Sequence, residues 1–264
     1  MSETVAIATL HGKGAIIRPI LAELGWQVQE LNSFDTDSLG TFANERARFM
    51  SPVECTLRKA AIAADLSGCT IGLGSEGSFS AGPFGLGTFN QELISAVNIE
   101  AGWVVTGRFY GPSAVQQWTI SDHTALQQAL KQLPADQRLL IQQQQQISKG
   151  LTLAEAEQQA TQLLANGALQ LSYDLRAHCC PERQQHIAHA ARDLLQRLKQ
   201  HCPVCATPGF WPDHALPGLP CEDCGAPSSV TRLRRASCQR CQHTESYPVA
   251  KSFAAAQYCQ ICNP

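Results

Sequence analysis

The pair C-x-x-C occurs four times between residues 202 and 262, as Cys202/Cys205, Cys221/Cys224, Cys238/Cys241 and Cys259/Cys262. No other feature restricts the fold of this chain so narrowly. Each pair makes a tight knuckle that aims both sulfurs at one ion. Four pairs supply eight thiolates, enough for two tetrahedral zinc sites of four sulfurs each. Buried free cysteines or a redox pair do not repeat so evenly. A site closed by four thiolates leaves no position for water, so it folds the tail and does not catalyse. With eight thiolates at hand, His11, His201 and His243 are surplus as metal ligands. The spacing predicts a tandem zinc-ribbon domain over 201–264 with two structural Zn²⁺.

The gaps between successive knuckles are 15, 13 and 17 residues. The first and last suit a ribbon in which a hairpin returns the chain to the same ion. The first gap also holds Pro208, Gly209, Pro212, Pro217 and Gly218, which allow it to turn. The middle gap has no turn residue after Pro227. A strand over 228–237 would hold its ends roughly 30 Å apart at about 3.3 Å per residue, too far to share an ion. The expected pairing is therefore Cys202, Cys205, Cys221 and Cys224 on one zinc, and Cys238, Cys241, Cys259 and Cys262 on the other. A nested arrangement is the main alternative.

The 264 residues allow one α/β domain and a small appendage. A net charge of −2 gives no global field to draw the whole chain onto nucleic acid or a membrane. No apolar run approaches the length of a bilayer span. The start M-S-E-T-V-A-I-A-T-L-H-G-K lacks a basic region and soon reaches Gly and Lys, which predicts no signal peptide and a cytoplasmic setting. Thiols stay reduced there, so clustered cysteines mean metal.

Val5 to Leu10 reads as a buried strand and H-G-K-G as a tight loop. The stretch to Gly25 has helical spacing, with Pro19 near its start, and W-Q-V-Q-E-L alternates like a strand. Strand, loop, helix and strand form a βαβ unit, and with it a mixed sheet flanked by helices. A polar loop is expected over Asn32 to Gly40, then a helix over Val53 to Leu66. A strand at Cys69 to Gly74 should run into a Gly/Ser loop, S-E-G-S-F-S-A-G-P-F-G-L-G. Strands are expected near 92–98, 102–107, 115–120 and 169–175. The run of glutamines within Leu139 to Ile147 reads as a solvated strand or loop. Thr152-x-x-Glu155 is a capping box. Pro181 opens a long helix with an apolar stripe of Ile187, Ala191, Leu194, Leu195 and Leu198. The expected division is an α/β domain over 1–180, a linking helix over 181–200 and the ribbons over 201–264.

Any chemistry should sit in the front domain. Thr9 to Gly14 joins a strand end to a helix start, the natural anion site of an α/β sheet, and Lys13 can neutralise a phosphate there. The loop lacks the full nucleotide P-loop pattern. Glu76 lies among small residues after another strand. Glu54 is near Lys59 and four residues from Arg58, so a plain i,i+4 pair is its other reading. His178-Cys179-Cys180-Pro181 either caps the long helix or offers a thiol whose pKa the helix start lowers. In the tail, Arg232, Arg234, Arg235 and Arg240 lie near the aromatic Phe210, Trp211 and Tyr258. They form either a nucleic-acid contact or a solvated strand face.

The stretch V-A-I-A-T-L-H-G-K-G-A-I-I-R-P-I-L-A-E-L-G-W-Q-V-Q-E-L resembles the opening of the inosine triphosphate pyrophosphatase superfamily. G-T-F-A-N-E, E-C-T-L-R-K-A-A-I-A-A-D and G-L-G-S-E-G-S-F follow in the order of that family's acidic helix and acidic loop. D-L-R-A-H-C-C-P-E-R is similar to its base-contacting turn at His178 and a nearby Arg. The resemblance implies Mg²⁺-assisted hydrolysis of a non-canonical nucleoside triphosphate to monophosphate and pyrophosphate. It implies catalytic roles for Glu54, Glu76 and Lys13. Substrate contacts would come from His11, Gly12, Lys13, Ser75, Arg176, His178 and Arg183. The chain departs from the family at His11, where Asn or Ser is usual, and in having Glu76 alone where two adjacent acids are frequent. The whole chain also resembles a bacterial family known as a domain of unknown function, which implies an architecture and no activity. Three functional classes follow: a metal-dependent nucleotide pyrophosphohydrolase, a non-enzymatic binder of nucleic acid or protein through the ribbons, and a sensor of a phosphorylated small ligand.

Overall fold

The computed structural model describes residues 3–32 and 50–264. Apart from Asn32, the expected polar loop and the G-T-F-A-N-E stretch lie outside them. The chain forms two units, Met1–Ile99 with Thr106–Leu195, and Glu100–Val105 with Gln196–Pro264.

The first unit opens with the βαβ element expected from the sequence. Strand β1 (Glu3–Ala8) leads to helix α1 (Lys13–Leu21) and strand β2 (Trp26–Leu31). Val5, Ala6 and Ile7 are fully buried, which is why this run holds the middle of a sheet. Helix α2 (Pro52–Ser67) starts at a Ser51/Glu54 capping box and stops at Gly68 in the left-handed conformation. Strands β3 (Ile71–Ala81), β4 (Thr88–Asn98) and β5 (Trp103–Ser113) complete a five-stranded sheet in the order β2-β1-β3-β4-β5. β1 runs parallel to β2 and β3, and β3 pairs antiparallel with β4 over its whole length.

The expected Gly/Ser loop after Gly74 is therefore strand as far as Ala81. The reason lies in packing. Successive strand residues face opposite sides. A Cβ on Gly72 would lie 1.9 Å from the Ala60 carbonyl oxygen, and one on Gly74 would lie 1.9 Å from that of Thr56. The glycines let the backbone of α2 rest directly on β3, and this contact outweighs their weak strand propensity.

A second, four-stranded sheet was not anticipated. Its order is β6 (Gln117–Ile120), β9 (Leu169–Tyr173), β7 (Leu139–Gln143), β8 (Gln146–Leu151), with each neighbouring pair antiparallel. Helices α3 (His123–Leu130) and α4 (Leu153–Leu163) share a core with it that includes Leu126, Ala156, Leu139, Ile141 and Leu171. The glutamine run forms the β7–β8 hairpin and is not wholly solvated. Gln143 is buried, and its amide donates to the carbonyls of Leu163 at 3.0 Å and Gly167 at 2.9 Å, tying down the end of α4. Helix α5 (Pro181–Lys199) buries its predicted stripe completely.

The second unit holds a three-stranded antiparallel sheet, β10 (His214–Pro217), β11 (Thr231–Ser237) and β12 (Thr244–Pro248), in sequence order. Its apolar cluster comprises Cys202, Phe210, Ala236 and Cys238, with Cys205 against it. A core this small needs a metal or another staple to stay folded. Among the described residues, no helix is long and apolar enough to cross a membrane.

Candidate functional site

The pairing of β1 with β3 ends at Ile7 and Leu73, while β3 continues for eight residues. The chain leaving β1 turns at this step. The Thr9 hydroxyl accepts from the His11 amide at 3.3 Å, and Gly12 takes a positive φ of 66° before Lys13 opens α1. Lys13 is only 7 % exposed. Its Nζ donates to both the carbonyl and the hydroxyl of Ser75, each at 3.2 Å.

Two carboxylates flank Lys13. On the α2 side of β3, Glu76 Oε2 receives Lys59 Nζ at 2.6 Å and Cys55 Sγ at 3.4 Å. On the other side lies Glu92, on β4 directly across from Gly77, and it is fully buried. Arg183 Nε donates to its Oε1 at 2.6 Å, and another Arg183 nitrogen donates to the Leu175 carbonyl. Asn90 holds Glu92 from below, donating to Oε1 at 3.2 Å and to the Ser78 carbonyl at 3.3 Å. The Asn90 Oδ1 lies 3.1 Å from His186 Nδ1, and Phe109 stacks on the His186 ring at 4.2 Å. Gly77 makes this arrangement possible, because a Cβ there would lie 2.4 Å from both Arg183 Nη2 and Glu92 Oε1.

Three cations, Lys13, Lys59 and Arg183, thus share the interior with two carboxylates, Glu76 and Glu92. Glu30, which lies against Gly14, is matched by Arg18 at 3.9 Å. The Lys13 pKa falls from 10.5 to about 8, first through burial and then through the Arg183 charge, with Glu92 and Glu76 opposing. Among the described residues, the cluster thus holds three formal positive charges against two negative ones. The rings of His11 and His178 lie 5.5 Å apart, so the loop after β1 meets the turn before α5.

His11, Gly12, Lys13, Ser75, Glu76, His178 and Arg183 therefore gather in one region. Two expected members do not join them. Glu54 is exposed, and its Oε2 accepts from the Ser51 amide at 2.8 Å and hydroxyl at 2.6 Å. Those two bonds hold its pKa below the usual carboxylate range. It caps α2 and pairs neither with Arg58 nor with Glu76. Arg176 folds onto Asp174, Nη2 to Oδ2 at 2.6 Å. The Cys179 thiol does not gain acidity from the helix start. Burial, then Asp174, pushes it up to about 11, and burial raises Cys180 as well.

Sequence reasoning missed Glu92, Asn90 and His186, and it gave Lys59 no role. The available signal was N-Q-E-L-I-S-A, where an acid occupies a strand otherwise rich in core residues.

In the second unit the eight ribbon cysteines form two groups, each with its ligand atoms within 4.8 Å of one another. They are Cys202, Cys205, Cys238 and Cys241, and Cys221, Cys224, Cys259 and Cys262. Sulfur–sulfur distances include 3.6 Å for Cys202 and Cys241, 3.5 Å for Cys205 and Cys238, 3.9 Å for Cys221 and Cys262, and 3.6 Å for Cys224 and Cys259. A tetrahedral ion with Zn–S bonds of about 2.3 Å needs sulfurs roughly 3.8 Å apart, so both groups fit zinc.

The four knuckles share one turn. The amide three residues after the first x donates back to the first cysteine's carbonyl: Ala206 to Cys202, Gly225 to Cys221, Gln242 to Cys238 and Asn263 to Cys259, at 2.8–3.1 Å. Ala206, Gly225 and Gln242 all have positive φ.

The grouping overturns the expected pairing of successive knuckles. The premise that β11 separates Cys224 from Cys238 holds. The error was the turn assigned to the first gap. The chain runs out along β10 to the second knuckle and back along β11, which sets the third knuckle beside the first. It then runs out again along β12, and Ala254 joins the second knuckle through bonds with Pro220 and Glu222. The result is interleaved, first with third and second with fourth, and not nested.

Pro203, Phe210, Trp211, Pro212, Glu245 and Tyr247 line a cleft of about 390 Å³ in this unit. Arg197 stacks over Trp211 at 5.3 Å and pairs with Asp213 at 2.7 Å. Arg232, Arg234, Arg235 and Arg240 are exposed, and Arg234 lies directly across from Tyr247.

No curated protein and no solved structure matches the chain. A family described as Domain of unknown function (DUF6671) matches residues 59–264, which takes in Lys59, Glu76, Glu92, Arg183 and every ribbon cysteine. Because that match spans most of the sequence, the chain belongs to the DUF6671 family.

Proposed function

We propose that the first unit binds a phosphorylated small molecule, with nucleotides as the leading class, over the start of α1. The observation that carries this reading is Lys13. A lysine at the first position of a helix opposes the helix dipole, and burial opposes its charge further. An anion at the helix start relieves both. The helix start and the excess of formal positive charge among the described residues nearby favour the same ligand. In this reading His11, Gly12, Lys13, Ser75 and His178 contact the anion, and Arg183 contributes its field through the Glu92 pair. The resemblance to the pyrophosphatase superfamily supports a nucleotide, and hydrolysis to monophosphate and pyrophosphate is the enzymatic form of the proposal.

Calorimetric titration of zinc-loaded protein with inorganic phosphate, nucleoside monophosphates and standard or deaminated triphosphates tests it. Pyrophosphate release is followed in parallel. Saturable binding that weakens at least tenfold in Lys13→Met supports the reading, and pyrophosphate release adds the activity. Binding of none of these compounds overturns it.

A second reading concerns the other unit. The exposed Arg234 lies across from Tyr247, which with Trp211 walls the cleft, and Arg232 shares its face of β11; these fit single-stranded nucleic acid, with arginines on phosphates and a base on the aromatic wall. An oligonucleotide affinity that falls with salt and drops in both Arg234→Ala and Trp211→Ala supports it. Affinity unchanged in both variants removes it.

A further inference from the structure

The resemblance that names Mg²⁺ assigns it to Glu54 and Glu76. Among the described residues, the side chains assigned to it do not suit that ion. Magnesium needs near-octahedral oxygen coordination and is commonly held by one or two carboxylates together with substrate phosphates and water. Glu54 is exposed and spends Oε2 on the Ser51 amide and hydroxyl. Glu76 is buried, and its Oε2 already receives an ammonium at 2.6 Å and a thiol at 3.4 Å. Glu92, the other buried acid of the cluster, is held by Arg183 and Asn90. A divalent ion at Glu76 would have to displace Lys59, whose side chain is 9 % exposed, and leave its charge buried beside the metal.

We infer that Lys59 stands at Glu76 in place of a divalent cation, and that the first unit binds its ligand as a metal-free phosphomonoester. This inference rests on the phosphate-binding reading above and narrows its ligand class. The charge count agrees. Among the described residues, one surplus formal positive charge, together with the helix start, suits the one to two negative charges of a phosphomonoester. It leaves most of the charge of a metal-free triphosphate uncompensated. Lys59 is a positioning residue: it pairs with Glu76 at 2.6 Å and holds it turned towards α2, so that the carboxylate does not repel an anion at Lys13.

The test titrates zinc-loaded protein with inorganic phosphate and a nucleoside 5′-monophosphate, in metal-depleted buffer and again with MgCl₂. A chelator is avoided because it strips the ribbons. Magnesium is also titrated alone. The inference expects phosphate and monophosphate to bind with dissociation constants that magnesium changes less than about twofold. It expects no saturable magnesium binding by the unliganded protein. Lys59→Met should weaken anion binding at least tenfold in metal-depleted buffer and regain part of it with magnesium. Ligand binding by the wild type only when magnesium is present overturns the inference and leaves the phosphate reading intact. Absence of phosphate binding in either buffer overturns both. The wild-type titrations decide the question even if Lys59→Met fails to fold.

Discussion

Lys59 on α2 and Glu76 on β3 meet at 2.6 Å with both side chains more than nine-tenths buried. A buried pair is a poor source of net stability, but removing one partner leaves an uncompensated charge in the interior. Lys59→Met and Glu76→Gln should each lower the unfolding free energy of the first unit by about 3–5 kcal/mol. The double variant should lose much less than the sum, because neither charge remains. Urea denaturation of the four proteins gives the coupling directly. Additive losses would mean that the two groups do not interact in solution.

The contact depends on how closely α2 approaches β3. Gly74 has no room for a methyl group, and the obstacle is the Thr56 carbonyl, which cannot rotate away as a side chain can. Gly74→Ala should therefore push α2 off the sheet and cost about 3 kcal/mol, at the upper end of overpacking penalties. Gly85→Ala is the control. Its φ is +74° and nothing lies within 4 Å, so only backbone strain is added, on the order of 1 kcal/mol. Equal denaturation midpoints for the two variants would refute the close-packing account.

Lys13 makes stability depend on pH in a defined direction. Its pKa is about 8 in the folded chain against an ordinary 10.5, because burial and Arg183 oppose its charge while Glu92 and Glu76 favour it and Lys59 opposes it. Between those values the unfolded chain holds a proton that the folded chain has released, so stability from this group rises with pH. Below pH 8 both states are protonated and the folded state carries a penalty of roughly 3 kcal/mol. Lys13→Met should thus be more stable than the wild type at pH 7, and the gap should close as pH rises from 8 towards 10.5. Urea midpoints of the two proteins across that range test the sign. Saturating phosphate should narrow the gap at pH 7 by favouring the charged lysine.

The sequence announces those parts of the fold that depend on local chemistry. The β1-α1-β2 unit follows from its periodicity, and the Thr152/Glu155 capping box forms as written, because hydroxyl and carboxylate at three-residue spacing are self-sufficient. The eight ribbon cysteines are evident for the same reason. What stayed hidden depends on a distant partner. The Gly/Ser stretch after Gly74 looks like a loop until α2 is laid against it. Glu54 looks like a ligand until its own Ser51 claims it. Glu92 is invisible because its meaning comes from Arg183, 91 residues away. Strands near 115–120 and 169–175 were legible, but their membership of a second sheet was not, because it depends on pairing between segments about 50 residues apart, such as Trp118 with Leu171.

Knuckle pairing was the clearest case of a tertiary decision, and it admits a stoichiometric test. Each zinc needs all four of its thiolates to close a tetrahedron, so losing one cysteine should empty one site. In the interleaved arrangement Cys202 and Cys238 belong to one cluster, whereas Cys202 and Cys221 do not. Cys202→Ser with Cys238→Ser should therefore leave one tightly held zinc per chain, in the group of Cys221, Cys224, Cys259 and Cys262. Cys202→Ser with Cys221→Ser should leave none. Pairing of successive knuckles predicts the reverse, with one zinc kept in the second variant and none in the first. Atomic absorption on the two purified proteins separates these outcomes without any assumption about function. The metal-poor variant should also lose the β10–β11–β12 sheet, because the apolar cluster of Phe210 and Ala236 is too small to fold the unit unaided.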